Sequence, residues 1–292
     1  MLASLFNLSQ HYFLPSDMSL QQERKLSSPK PLAHNQHVAL SIPYDQLPSF
    51  LLSATFENYH ITWFDVVTID QQHYFTFIWH DNHLFQNRTS MLFYSLNPAQ
   101  FQELTLKMNS YQFDLRHFDV YQHANENMLR YICLYVRRDV VKSFHKLRTA
   151  VISHRWENEN NLHAWNIRPH LLCGNLYYSN LYPSKRSEQN HYYRVNLTDR
   201  DLLDEHTKAL SDNYKLVDLK VYHLSNGDYR FIAMWTSEQE GSSLLFLGLT
   251  YDELVERLNE KQLRSAIITN YGLLVDGQQC FALVCNQYGS VW

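Results

Sequence analysis

A short helix, an aromatic-rich strand and a second apolar strand follow one another about every fifty residues, and this recurrence limits the fold more than any single motif does. It is plainest in Leu197-Thr198-Asp199-Arg200-Asp201-Leu202, then Tyr214 to Tyr222, then Arg230-Phe231-Ile232-Ala233-Met234-Trp235, and a related unit ends at Cys285. Trp79, Tyr135, Trp235 and Cys285 close the second strand of four units, at separations of 56, 100 and 50 residues. The doubled interval places an irregular unit between Tyr135 and Trp235, with Leu171-Leu172-Cys173 and His191-Tyr192-Tyr193-Arg194-Val195 as its two strands.

The expected fold class is α+β: about five tandem helix and β-hairpin (αββ) units forming a curved or closed antiparallel sheet with helices on one face. Residues 1–38 read as an N-terminal arm or linker, because Gln21-Gln22-Glu23-Arg24-Lys25 and Ser27-Ser28-Pro29-Lys30-Pro31 are polar and proline-punctuated. The repeat domain then covers 39–292, with units at approximately 40–93, 94–142, 143–194 (degenerate), 195–246 and 247–292.

Three helix starts stand in matching places. Thr198 with Asp201, and Thr250 with Glu253, have the spacing of a capping box, and Asn97 precedes Pro98 at a first helical position, where proline loses no needed hydrogen bond. Leu202, Leu203, Ala209 and Leu210 form an apolar stripe, as do Leu254, Val255 and Leu258, and Phe101, Leu104 and Met108. In the first unit Pro48 obstructs a helix already under way, so that helix is expected to start near Pro48.

The second strands are apolar on both faces. Tyr131, Cys133 and Tyr135 alternate with Ile132 and Leu134, and Phe231, Ala233 and Trp235 alternate with Ile232 and Met234. Such strands need cover on both sides. Helices supply one side, and the other has to close against another part of the chain, which favours a ring-like arrangement. The first strands, Phe113 to Tyr121 and Lys215 to Tyr222, mix apolar and charged positions and are expected nearer a solvated rim. A β-propeller has a similar period but requires four strands per blade, and seven glycines are few for so many tight turns.

The unit from Leu197-Thr198 through Asn213-Tyr214-Lys215-Leu216-Val217-Asp218 to Tyr229-Arg230-Phe231-Ile232-Ala233-Met234-Trp235 resembles the bacterial tandem repeat family also found in the amino-terminal part of polyglycine hydrolases. Leu96-Asn97, Tyr111, Val120-Tyr121 and Arg130-Tyr131-Ile132-Cys133-Leu134-Tyr135 are similar. The resemblance implies a curved scaffold of helix-hairpin repeats with an interaction or substrate-presenting role. The chain departs from the family's glycine before the first strand, with Ser110 and Asn213 in its place. The serine nucleophile of those hydrolases belongs to a downstream domain with no counterpart here, so no catalytic residue carries over.

Hydrophobic residues make up 45% and aromatics 14%, including 20 Tyr and 16 Phe, enough for a folded interior. Twenty-five Lys and Arg against 29 Asp and Glu give a formal charge of -4 with no basic run, which disfavours nucleic acid. No stretch reaches the roughly 18 apolar residues that span a bilayer, so a membrane partner is not expected. The expected localisation is soluble: cytoplasmic, or exported without a cleaved signal peptide. Cys133, Cys173, Cys280 and Cys285 lie mostly in apolar segments, which argues against a disulfide framework.

Phosphate-cradling glycine loops, HExxH and GxSxG are absent, so no cofactor is expected and an enzyme is the less favoured class. His154, His163 and His170 share neither a helical face nor a ligand spacing, and no metal site is assigned. Cys173 with His170 nearby is the one nucleophile and base pairing to weigh as catalytic, against a simply buried thiol. Asp65 and Asp119 match in Phe64-Asp65-Val66 and Phe118-Asp119-Val120, and together can hold a cation or act as acid and base; the alternative is pairing with a neighbour such as Arg116. Tyr121, Tyr177, Tyr178 and Tyr222 are the first contact candidates if they line a concavity, since Tyr joins an apolar face to a polar tip. The expected function is a repeat scaffold that binds a protein or peptide, with a bacterial effector role as one form of it. A hydrolase site in the middle unit and a glycan-binding module are the alternatives.

Overall fold

In the computed structural model, five antiparallel sheets follow one another along the chain; the structure describes residues 30–31, 36–56, 59–69, 72–81, 90–122, 128–137, 150–153, 166–172, 175–181, 191–224, 226–237, 243–259, 265–273 and 279–286. The first sheet holds β1 (Lys30–Pro31), β2 (Gln36–Pro43), β3 (Tyr59–Ile69) and β4 (Gln72–Asp81), with helix α1 (Leu47–Phe56) between β2 and β3. The second holds β5 (Ser90–Leu96), β6 (Phe113–Gln122) and β7 (Leu129–Arg137), with α2 (Pro98–Ser110) after β5. The third is β8 (Ala150–Ser153), β9 (Asn166–Leu172) and β10 (Asn175–Leu181). The fourth is β11 (His191–Leu197), β12 (Tyr214–His223) and β13 (Tyr229–Ser237), with α3 (Asp199–Ser211) after β11. The fifth is β14 (Ser243–Leu249), β15 (Ser265–Leu273) and β16 (Gln279–Asn286), with α4 (Tyr251–Asn259) after β14. The protein is α+β, mostly sheet, and no helix among the described residues is long and apolar enough to cross a membrane.

The helix starts obey local chemistry. Asn97 accepts from Gln100 N while its own N–H donates to Gln100 Oε1, and Thr198 and Asp201 make the same reciprocal pair. Thr250 N donates to Glu253 Oε2 at 2.8 Å. Before α1 a 3-10 turn over Tyr44–Gln46 lets the helix begin at Leu47, so Pro48 falls in the first turn, where its missing N–H does no harm.

One expectation was a single curved or closed sheet. The sheets are instead separate and none is closed, because each helix is preceded by a strand that pairs with the second strand of the following hairpin. That second strand takes the centre of its sheet, in the order β2-β4-β3, β5-β7-β6, β11-β13-β12 and β14-β16-β15, and the first hairpin strand becomes an edge. The leading strands carry a register shift at Ala39/Ile42, Phe93/Leu96, Arg194/Leu197 and Phe246/Leu249. Ser41, Ser95, Asn196 and Gly248 sit there with φ of 56°, 58°, 60° and 67°. These bulges bend each strand into its helix, and mostly non-glycine residues take the left-handed position. After α2 and α3 the left-handed residues are Gln112 and Asn213.

The central strands are covered on both faces. Tyr131, Cys133 and Tyr135 pack with Phe101, Leu104 and Met108 of their own helix, whereas Ile132, Leu134 and Val136 pack on the core of the preceding sheet with Phe77 and Trp79. Phe231 and Trp235 likewise face Leu202 and Ala209, and Ile232 meets Ile167 and Tyr178 of the third sheet. Ile78 of the first sheet joins Ile267 and Val284 of the fifth.

The inner edges complete the circuit: β3 packs on β6, β6 on β9, β9 on β12, β12 on β15, and β15 on β3. The first hairpin strands are therefore not at a solvated rim. β6 and β12 are buried along almost their whole length, because they are the edges where neighbouring sheets abut. The middle stretch also departs from expectation. Its hairpin is β9 and β10, and His191–Leu197 belongs to the fourth sheet, paired with β13. The alternation of Asn166–Leu172 is masked in the sequence by the polar Asn166, Arg168 and His170, all of which the fold buries.

Candidate functional site

Five side chains occupy corresponding places on the inner strands: Asp65 on β3, Asp119 on β6, Arg168 on β9, Lys220 on β12 and Thr269 on β15. All are at most 4% exposed. Because these strands are sheet edges facing other sheets, their outward N–H and C=O groups have no ladder partner and no water. Side chains from the neighbouring sheet supply the partners. Val66 N donates to Asp119 Oδ2 at 3.0 Å, Asn270 N to Asp65 Oδ2 at 3.2 Å, and Val221 N to Thr269 Oγ1 at 3.2 Å. Carbonyls are met by the cations: Val66 O accepts from Lys220 Nζ at 2.6 Å and Phe118 O from Arg168 Nε at 3.1 Å.

Lys220 places its ammonium between the two carboxylates, 2.6 Å from Asp65 Oδ1 and 2.7 Å from Asp119 Oδ2. With Val66 O, its three donors are all used. Arg168 grips Asp218 through two nitrogens, at 2.8 and 3.0 Å, donates to Ile167 O and stacks over Trp63 with Cζ 5.6 Å from the ring centre. Burial alone would lower the pKa of both cations, but the facing carboxylates, Asp119 and Asp65 for Lys220 and chiefly Asp218 for Arg168, raise them above their usual values. Burial raises the Asp65 carboxyl against the opposing pull of Lys220. His117 is held neutral by burial and by Arg168, its Nε2 2.8 Å from Phe64 O and its Nδ1 3.1 Å from Asn166 Nδ2. A carbonyl only accepts, so Nε2 carries the proton and Nδ1 accepts from the amide.

Immediately beyond this charged layer, at the ends of the same strands, lies a cavity of about 400 Å³. Its walls come from four sheets: Val66, Val67 and Thr68; Val120, Tyr121 and Gln122; Pro169, His170 and Leu176; and Lys220, Val221, Tyr222 and His223. The volume falls within the range of about 300–1,000 Å³ typical of small-ligand pockets, and the walls mix aliphatic side chains with the polar Thr68, Gln122, His170, Lys220 and His223. His170 Nδ1 lies 3.4 Å from Arg168 O, its ring stacks on Tyr177 at 6.1 Å, and burial lowers its pKa to about 4. The carbonyl contact leaves the proton on Nδ1, so Nε2, which is buried and has no hydrogen-bond partner, keeps its lone pair.

The sequence candidates divide accordingly. Tyr121, Tyr222 and His170 meet in the cavity wall. Tyr178 packs edge-on behind Tyr222 at 6.5 Å, and Tyr177 stands behind His170. Asp65 and Asp119 do converge, yet in the buried centre rather than on a rim, and the cation between them is Lys220 and not Arg116. Cys173, His154 and His163 lie outside the described residues. Cys133, Cys280 and Cys285 are buried free thiols, and no cluster of three His, Cys, Asp or Glu placed to hold a metal occurs among the described residues.

Sequence reasoning missed Lys220, Arg168, Asp218 and His117. The signal was present for Lys220, since Leu219-Lys220-Val221 occupies the place of Phe64-Asp65-Val66 and Phe118-Asp119-Val120, with a cation where those two carry an acid. No protein-family model matches the chain, and no curated protein does.

Proposed function

We propose that this chain is a tandem-repeat scaffold of five helix-hairpin units set in a ring, similar in its repeat to the bacterial tandem repeat family, and that it binds a protein or peptide through the cavity on the ring axis. The observation that carries this reading is convergence: four successive sheets each send the end of an inner strand to one cavity, beyond a charged layer whose cations are already saturated. In this reading the charged layer holds the units in register, and the cavity is left to a ligand.

Selection from a displayed peptide library against the whole chain tests the proposal. Gln122→Trp fills the rim from a partly exposed position and provides the control. Selected peptides are expected to bind saturably and to lose at least about tenfold in affinity against Gln122→Trp, a loss equivalent to about 1.4 kcal/mol. A selection that yields no saturable binder, or binders indifferent to the filled rim, rejects the cavity as the binding site.

A further inference from the structure

The charged layer holds an amine and two carboxyl groups in a geometry suited to bond formation. Lys220 Nζ lies 2.6 Å from Asp65 Oδ1 and 2.7 Å from Asp119 Oδ2, and the three residues are at most 4% exposed. Groups fixed in contact react as if at a concentration that no free pair can reach. In water an ammonium and a carboxylate are favoured over an amide because both ions are hydrated. Here neither is, and a condensation that consumes a buried amine and carboxyl relieves the cost of holding charge out of water.

The two carboxyl groups are held differently. Asp65 Oδ2 accepts from Thr269 Oγ1 at 3.0 Å and from Asn270 N at 3.2 Å, two donors placed where negative charge gathers when a nucleophile adds to Cγ. Burial raises the Asp65 pKa and so favours the uncharged carboxyl that an amine can attack. Asp119 is anchored by Val66 N at Oδ2 and Val120 N at Oδ1, which fix it against the Lys220 ammonium. The carboxylates keep that ammonium as the resting form while burial and Arg168 oppose it, so reaction begins with loss of its proton.

We infer that Lys220 and Asp65 become joined by an intramolecular isopeptide bond, with Asp119 as the base and acid of the condensation. The ammonium passes one proton to Asp119, and the freed amine adds to Cγ of the protonated Asp65 carboxyl, leaving the oxyanion at Oδ2. Asp119 then gives its proton to the Oδ1 hydroxyl and takes one from the nitrogen as the C–O bond breaks. One N–C bond forms, one C–O bond breaks, one water leaves, and Asp119 ends protonated. The single N–H that remains on the nitrogen is left for Val66 O, which already accepts from Nζ. The link ties β3 of the first sheet to β12 of the fourth across 155 residues, and it does not depend on the cavity being a binding site.

The intact mass of the full chain, folded and then denatured for measurement, decides the matter. Wild type is expected to be lighter than its sequence by one water, and Lys220→Met to have the full mass of its own sequence. Trypsin should fail to cut after Lys220, and fragmentation should place the link between the peptides that hold Asp65 and Lys220. On a denaturing gel wild type should run ahead of Lys220→Met, because the closed loop keeps the unfolded chain compact. Asp119→Asn leaves an acceptor for Val66 N but cannot take the proton; it should stay largely at full mass, since a positioned acid–base group contributes about 10²–10⁴-fold. Wild type at full mass after prolonged incubation in the folded state, a result that needs no variant, overturns the inference. So does a water loss that survives in Lys220→Met, which marks dehydration elsewhere, or a link that maps to Asp119. Complete linkage in Asp119→Asn overturns the role given to Asp119.

Discussion

The helix starts on the outside and the charged layer at the centre meet the same need, unpaired backbone N–H groups, over opposite distances in sequence. At α2 the N–H of Asn97 and that of Gln100 are satisfied by side chains three residues apart. At the centre the N–H of Val66 finds Asp119 53 residues away, and that of Asn270 finds Asp65 205 residues away. The first arrangement stabilises one helix whatever its surroundings. The second exists only when neighbouring sheets abut, so it makes each junction depend on the next. A buried ion pair adds little net stability over an apolar pair of the same shape, but losing one partner is severe. The centre is therefore better described as a device that fixes which edges meet than as a source of stability.

That contrast is broken most sharply at Lys220. Replacing it by Met should destabilise the protein by about 3–5 kcal/mol, because Asp65 and Asp119 are left facing one another without their cation. Adding Asp65→Asn and Asp119→Asn should recover a large part of the loss, since neutral amides still meet the backbone groups. Urea midpoints of the single and triple variants measure both effects, and a single variant with an unchanged midpoint would show that the centre is not closed around Lys220.

Acid separates the two regions next. Burial lowers the pKa of His117 and brings that of His170 to about 4, so the folded protein refuses protons that the unfolded chain takes up. Their contribution to stability is complete above the unfolded value near 6.5 and is lost as pH falls toward the folded values. Each refused proton costs about 1.4 kcal/mol per pH unit in that window. The cap carboxylates Asp201 and Glu253 are lowered by hydrogen bonds from Thr198 and Thr250, so their contribution is lost only as pH falls below ordinary carboxylate values. Stability measured from pH 7 to 3 should thus decline in two stages, and His170→Phe should flatten the first.

The smallest effect belongs to the exterior. Asn97→Ala removes one cap and should cost about 1 kcal/mol, with ligand binding unchanged. A loss as large as that of Lys220→Met would mean that α2 is coupled to the centre rather than locally stabilised.

Much of the outer architecture could be read from the residues. Thr198 with Asp201 and Asn97 with Pro98 act within one turn, so their spacing alone specifies where helices begin. The two apolar faces of Tyr131–Val136 correctly required cover on both sides, and the structure supplies a helix on one and the preceding sheet on the other. The leading strands were not recognised as such: His191–Val195 was read as a strand of the middle unit, whereas it pairs with β13 of the fourth sheet and continues through a bulge to Leu197 at the start of the helix. The candidate site was half visible. Asp65, Asp119, Tyr121, Tyr222 and His170 were singled out, but nothing near Asp65 in the chain announces Lys220, which is 155 residues away.

What the sequence determined by itself was local: where helices start and which strand faces are apolar. Those properties depend on residues within a few positions of one another, so the pattern carries them intact. Only the tertiary structure decided that the strands form five separate sheets, that their inner edges meet in a closed order, and that Lys220 and Arg168 are consumed there. The reason is desolvation: once the edges abut, each buried N–H, carbonyl and charge must find a partner across a junction, and that partner is set by packing rather than by proximity along the chain.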